Sequence, residues 1–187
     1  MKKIIYLSTL CLLLVGCGND TTNNPSSEKV DKDKVEEKSQ KETKEEQTNK
    51  GFDLKQVGEK FTLKDWEVTL ESFKFDKSVS DGQMSSSADE GNKFLLLNFK
   101  ITNNGTEADS LIKNGGGTSI KAVYNNKYDY DTSVTLIDGD LHHQNIRPLS
   151  SSEGFVVITV PDTVVEGKES INLFLENEKD KVQINIR

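Results

Sequence analysis

The chain has 187 residues, of which 29% are charged and 33% hydrophobic, and its formal net charge at pH 7 is -7. This size and composition allow one ordinary globular domain together with some length outside it. The acidic balance repels phosphate groups, and no basic cluster with interleaved aromatic residues is present, so nucleic acid is not an expected partner. Both cysteines, Cys11 and Cys17, lie near the N-terminus, which excludes a disulfide framework in the rest of the chain.

Residues 1–16 have the features of an export signal. Lys2 and Lys3 give the start a positive charge, and an apolar run of about twelve residues extends from Ile4 to Val15. Such a run is well short of the about 20 residues that span a bilayer. We therefore predict a signal peptide over residues 1–16 and no transmembrane anchor there.

The end of this signal carries a four-residue motif, Leu14-Val15-Gly16-Cys17, that resembles the lipobox of bacterial lipoproteins. In a lipobox, the cysteine thiol accepts a diacylglycerol and the signal peptide is cut before that cysteine. The resemblance implies that Cys17 carries two or three acyl chains, which hold a protein to a membrane far more durably than one chain does. We expect the protein on the outer face of the cell membrane, lipid-anchored, with its polypeptide outside the cell.

Residues 17–50 comprise the predicted lipidated cysteine and a linker of Thr, Asn, Ser and mixed charges. Val30 and Val35 are the only strongly apolar residues after Cys17 in this stretch, which is too few to form a core. We predict that this linker is disordered and interpret it as a solvated spacer that lifts the following domain away from the membrane.

Residues 51–187 are predicted to form the folded domain, because short β-like runs alternate there with turn residues and helical periodicity is absent. In the run 61–75, Trp66 and Val68 alternate with polar residues, and Phe73 and Phe75 then fall out of phase, as a β-bulge requires. The pair Asn125-Asn126 between two such runs suits the primed turn of a hairpin.

The run 93–102 is the most apolar of these segments and is predicted to be a central strand, because apolar side chains occupy both of its faces. One face carries Leu95, Leu97, Phe99 and Ile101, and the other carries Phe94 and Leu96. Seven or eight strands with regularly spaced turns in a domain of this length are typical of an antiparallel β-sandwich.

Three segments resemble the signature segments of an uncharacterised immunoglobulin-like domain of Gram-positive surface lipoproteins, related to the mycobacterial secreted immunoprotective antigen. They are VGEKFTLKDWEVTLESF (57–73), GNKFLLLNFKITNNGTE (91–107) and RPLSSSEGFVVITVP (147–161). The resemblance covers about residues 55–187; it implies an extracellular immunoglobulin-like β-sandwich of unknown function and provides no catalytic residues to carry over. The family often has Pro-Gly-Glu before the late strand, whereas Ser150 and Ser151 stand here, so we expect a different local turn.

Structural roles account for the single residues that stand out in these segments. We predict that Gly58 lies in a turn, that Trp66 belongs to the core, and that Tyr128 packs beside Val123 across the hairpin.

One dense cluster of potential metal ligands lies in the sequence IDGDLHHQN, and it consists of Asp138, Asp140, His142 and His143. Adjacent histidines on an extended chain point to opposite sides and seldom bind one ion together. Asp129 and Asp131 add carboxylate oxygens for calcium, but the twelve-residue calcium loop is missing. We favour a polar connecting loop over a metal site, and we expect no cofactor.

Motifs for nucleophilic catalysis are also missing. The sequence contains no G-x-S-x-G, and the S-x-x-K spacing of Ser110 and Lys113 lacks its partner motifs. We therefore expect a non-enzymatic module that binds an unknown protein or envelope ligand. The alternatives are an accessory or structural subunit of an envelope membrane complex and, less favoured, an envelope hydrolase.

Overall fold

A computed structural model describes residues 51–113 and 115–187, so the predicted signal peptide, Cys17 and spacer lie outside the described residues. The described part contains eleven strands, one short α-helix and one turn of 3₁₀ helix at Leu141–His143. The first six strands are β1 (Asp53–Lys55), β2 (Lys60–Leu63), β3 (Trp66–Asp76), β4 (Ser78–Ser80), β5 (Ser85–Ser87) and β6 (Asn92–Asn103). They are followed by β7 (Ser119–Tyr124), β8 (Tyr128–Ser133), β9 (Ser150–Pro161), α1 (Asp162–Glu166), β10 (Ile171–Asn177) and β11 (Asp180–Asn185).

Nine of these strands are hydrogen-bonded in the order β1-β11-β10-β7-β8-β9-β6-β3-β2. Strand β8 divides this order, because its residues 128–131 pair with β7 whereas Thr132 and Ser133 pair with β9. The first sheet therefore runs from β1 to β8 and the second from β8 to β2. All pairings are antiparallel except that of β1 with β11, which is parallel.

The core lies between the two sheets and is built from the inward residues of both. In β10 the inward residues are Ile171, Leu173 and Leu175, and in β6 they are Leu95, Leu97, Phe99 and Ile101. These side chains are at most 1% exposed. Alternate side chains of a strand point to opposite faces, so one cluster of this kind fills the space between facing sheets. The predicted β-sandwich is confirmed.

Several local predictions are confirmed as well. Strand β6 lies between β3 and β9, and Trp66 is 3% exposed. The register between β3 and β6 shifts between Leu70 and Ser72, where we predicted a bulge. Asn125 and Asn126 have φ angles of 52° and 51°, as a primed turn requires.

The strand count is higher than the seven or eight expected, for two reasons. The run 61–75 is divided into β2 and β3 by a turn at Lys64 and Asp65, and β1, β4 and β5 are three-residue strands without apolar alternation. The prediction for Tyr128 is wrong in its partner. Tyr128 is paired with Tyr124, its ring stacks at 6.4 Å on that residue, and Asp129 stands opposite Val123.

The hairpin of β4 and β5 lies outside the main order and covers part of the second sheet. Beneath it a smaller apolar cluster contains Phe94, Leu96 and Val157, with Ala88 and Val79 from the hairpin. Its two strands thereby shield the apolar outer side of β6 and β9 from water. Within the described residues, no helix is long and apolar enough to cross a bilayer.

Candidate functional site

The segment between β8 and β9 carries Asp138, Asp140, His142 and His143 and is organised around one buried carboxylate. Asp140 is 1% exposed, although it lies in a connecting segment near the surface. The N–H of Phe155 on β9 donates to the carbonyl of Gly139 at 2.9 Å, which ties the segment to the second sheet. Leu141, directly after Asp140, is buried in the core. Because both sides of Asp140 are fixed in this way, its carboxylate is held inside.

Both oxygens of that carboxylate are occupied. Oδ2 accepts from the backbone N–H and from the hydroxyl of Thr135, each at 2.7 Å. Oδ1 accepts from the backbone N–H of His142 at 3.0 Å and lies 2.7 Å from Nδ1 of the same residue. Asp140 thereby caps the 3₁₀ helix and joins its first turn to the segment that follows β8.

These contacts determine the charge of the group. Burial alone raises the pKa of Asp140, but the hydrogen bonds from His142 and Thr135 outweigh burial and lower the pKa to about 2. The carboxylate is therefore ionised at neutral pH. Because every polar contact of this buried carboxylate is a hydrogen bond that it accepts, the carboxylate holds the surrounding backbone in one conformation.

In residues 134–136 the polar side chain is buried and the apolar side chains are exposed, which is the reverse of the usual arrangement at a protein surface. Thr135 is 4% exposed because its backbone and hydroxyl are bound to Asp140, whereas Val134 and Leu136 on either side are 60% and 73% exposed. Two large apolar side chains are thus presented to solvent by a segment whose polar residue points inward. We refer to residues 134–138 as the apolar loop.

The tip of the β4–β5 hairpin borders this loop. Oδ2 of Asp81 accepts from the backbone N–H of Asp138 at 3.1 Å. Hydrogen bonds from the backbone N–H groups of Met84, Asp138 and Gln83 hold the pKa of Asp81 below its usual value. A cleft of about 350 Å³ lies between the two segments, with Asp81, Leu136, Asp140 and His143 among its lining residues.

The four residues weighed as weak candidates for a metal site do not converge. Asp140 and His142 are in contact, but Nε2 of His143 donates to the carbonyl of Thr135 at 2.8 Å. Asp138 is exposed, and its Oδ1 accepts from the next N–H in the chain. Throughout residues 51–113 and 115–187, no three His, Cys, Asp or Glu side chains are grouped so that they could hold a metal ion. The calcium candidate Asp129 is paired with Lys121 instead.

Two members of this site were not predicted from the sequence. Thr135 stands in an ordinary strand-end sequence, and nothing in its neighbours marks it as buried. Asp81 is 57 residues from its partner Asp138, and no sequence pattern connects the two. The one available signal was the apolar pair Val134 and Leu136 directly before an acidic loop.

The fold and the site together define a β-sandwich module with an apolar loop beside an acidic hairpin tip. The chain belongs to the family described as a domain of unknown function, DUF4352, which matches residues 55–177. A comparison with curated proteins gave no match.

Among solved structures, the chain is similar to an uncharacterised β-sandwich protein of Clostridium difficile 630, with 19% identity and a TM-score of 0.60. That match covers 73% of this chain and 96% of the other. A conserved hypothetical protein of Bacillus anthracis matches at 15% identity and a TM-score of 0.49, over 68% of this chain and 92% of that one. The first similarity supports the β-sandwich fold, whereas the predicted lipoprotein nature and the relation to the mycobacterial antigen stay predictions.

Proposed function

We propose that this protein is a lipid-anchored docking module of the cell envelope, without catalytic activity of its own. In this proposal Cys17 carries the lipid, residues 18–50 form the spacer, and the β-sandwich binds a protein partner through the apolar loop. The observation that carries the docking role is the exposure of Val134 and Leu136 on a segment pinned by the buried Asp140. A pinned loop loses little conformational entropy on binding, which favours its use as a contact surface.

The charges around the loop indicate the chemistry of the partner. The sequence has no Lys or Arg between Lys127 and Arg147, and none between Lys77 and Lys93. Asp81 and Asp138 both line the cleft beside the loop and are exposed, so the rim is acidic. An anionic lipid surface would be repelled, so we propose a protein partner with an apolar pocket surrounded by basic side chains.

Site-directed crosslinking on intact cells tests this function. A photoreactive residue at position 136 is expected to capture one discrete envelope protein, and the double variant Val134→Ser with Leu136→Ser is expected to lose that partner in co-purification. The matched control is Leu149→Ser, because Leu149 is 81% exposed but lies in a different turn. Capture of many proteins without preference, or capture unaffected by the double variant, would refute the docking role.

The same experiment distinguishes a docking module that binds its partner reversibly from a permanent subunit of an envelope complex. A partner recovered in a fixed ratio from every preparation would identify the protein as an accessory subunit of an envelope complex. Binding across an acidic rim is also expected to weaken as the salt concentration rises, because salt screens charges at the surface.

A further inference from the structure

The outward side of the first sheet carries a second cleft that the docking role does not use. Its volume is about 310 Å³, and we call it the outer cleft, lined by Phe52, Lys121, Val123, Phe174, Glu176 and Lys181. Phe174 lies between Leu173 and Leu175, which face the core, so its ring is on the opposite, solvent side of β10. A phenylalanine and a valine on an outward sheet face form an apolar floor there.

Aromatic contacts shape this floor. Phe52 meets Phe174 edge to face, with ring centroids 4.9 Å apart and planes at 79°. Phe174 is 8% exposed as a result, whereas Phe52 is half-buried and forms part of the wall. Phe52 therefore supplies more of the accessible aromatic surface of the outer cleft than Phe174 does, and a flat apolar group can contact it there.

Paired charges stand at the rim. Nζ of Lys181 lies 5.4 Å from the ring centre of Phe52 and 2.6 Å from a carboxylate oxygen of Glu176. On the other side, Nζ of Lys121 lies 6.0 Å from the ring centre of Phe174 and 3.0 Å from Asp129. Each pair offers both donors and acceptors to a ligand, and because each lysine has an acidic partner, the rim has no excess of positive charge for an anion.

Asn126 also lines the outer cleft, and its side chain is connected to two further amide side chains outside the lining. Asn172 is 5% exposed although it alternates with the core residues of β10. Its Nδ2 lies 3.4 Å from Oδ1 of Asn126, and its Oδ1 accepts from Nε2 of Gln183 at 3.1 Å. The contact with Asn172 orients the amide of Asn126, which is the member of the network that a ligand hydroxyl in the outer cleft can reach.

We propose that the outer cleft binds a β-linked hexopyranose unit of a glycan. A hexopyranose with equatorial substituents has two apolar faces of axial C–H groups, which fit an aromatic floor, and a ring of hydroxyls that fit a rim of donors and acceptors. The volume is at the low end of the about 300 to 1,000 Å³ typical of small-molecule sites, as one ring and its linkages require. The site shares no residue with the apolar loop and stands independently of the docking role.

Saturation-transfer NMR with the full chain tests the site, with the β-1,4-linked tetramers of N-acetylglucosamine and of glucose as probes. We expect saturation of at least one of the two tetramers, strongest at the axial ring protons that face the phenylalanines. In Phe52→Ala the affinity is expected to fall at least tenfold. Glu176→Gln, which keeps the side-chain shape, is expected to weaken binding several-fold by removing a charged acceptor.

The control is Leu54→Ala, because Leu54 is 60% exposed on the neighbouring strand β1 and does not line the outer cleft. Melting curves establish that each variant is folded. Three results would overturn the proposal: no saturation of either tetramer at millimolar concentration, unchanged affinity in both cleft variants, or an equal loss in Leu54→Ala. Leu136→Ser is expected to keep full glycan binding. A failure of the docking role can therefore be distinguished from a failure of the glycan site.

Discussion

The carboxylate of Asp140 accepts two hydrogen bonds of 2.7 Å from Thr135, one from its backbone N–H and one from its hydroxyl. This contact joins the segment after β8 to the start of the 3₁₀ helix, while the side chains of Val134 and Leu136 remain exposed. The exposure of the two apolar side chains therefore depends on Asp140, which is itself buried.

Replacement of Asp140 by Asn is expected to destabilise the fold by about 2 to 3 kcal/mol. An amide has the same shape, but its NH₂ group would face donors that now meet an oxygen, and buried unsatisfied groups cost about 1 to 3 kcal/mol each. Urea unfolding followed by the fluorescence of Trp66 measures this loss. Asp138→Asn is the control, since an exposed side chain changes stability by about 0.5 kcal/mol or less; equal effects of the two variants would contradict the central role of Asp140.

Acid is expected to remove the contribution of Asp140. The folded-state pKa of about 2 lies below the ordinary value of 3.8, so the ionised form is favoured by folding, and the stability gained is complete above about pH 5. It declines as the pH falls towards 2, by about 2 kcal/mol in total. Unfolding free energies measured between pH 6 and 2 are expected to be less steep in Asp140→Asn than in the unaltered chain, and parallel curves would be evidence against this assignment.

Gly154→Ala is expected to cost about 1 to 3 kcal/mol, because added volume in a packed region forces its surroundings apart. A Cβ atom there would lie 2.5 Å from Leu141 Cδ2 and 2.7 Å from the carbonyl oxygen of Gly139. The variant is also expected to loosen the apolar loop and to raise amide hydrogen exchange in residues 134–141. Glu153→Ala, at a neighbouring exposed position of the same strand, serves as the control and is expected to change neither quantity.

Cys17→Ala is expected to abolish membrane attachment. Without the thiol no diacylglycerol can be added, so the protein is expected either as an uncut precursor or in the medium. Cell fractionation and mass spectrometry of the N-terminal peptide measure the outcome, and Cys11→Ala, which changes a residue inside the predicted signal, is expected to leave attachment intact. Mature Cys17→Ala protein that still sediments with membranes would rule out the lipid anchor.

The parts of the fold that were predicted correctly depend on local patterns. The bulge after Leu70, the central strand β6 and the turn at Asn125 each follow from alternation or from the φ angles that asparagine tolerates. A phase change also marks the turn missed inside 61–75, because the apolar positions shift there from Phe61 and Leu63 to Trp66 and Val68. The phase change after Leu70 predicted the bulge, whereas the similar change at Lys64 and Asp65 was not interpreted as a turn.

The candidate site was predicted only in outline. The acidic and histidine-containing loop was recognised and interpreted as a polar connecting loop, but the contacts of His142 with Asp140 and of His143 with a carbonyl were not predicted. Which donors surround a carboxylate depends on the packing of the loop against β9, and spacing along the chain carries no information about that.

By itself, the amino-acid sequence determined the β-sandwich class and most of its strands, because the alternation of apolar residues dictates which side of each strand must leave water. Tertiary structure alone decided that Asp140 is buried, that Asp81 meets the loop from 57 residues away, and that Phe52 covers Phe174 on the outward face. These are contacts between distant segments. Their energies depend on which groups the completed fold brings within hydrogen-bonding or van der Waals distance, and that is a property of the folded chain as a whole.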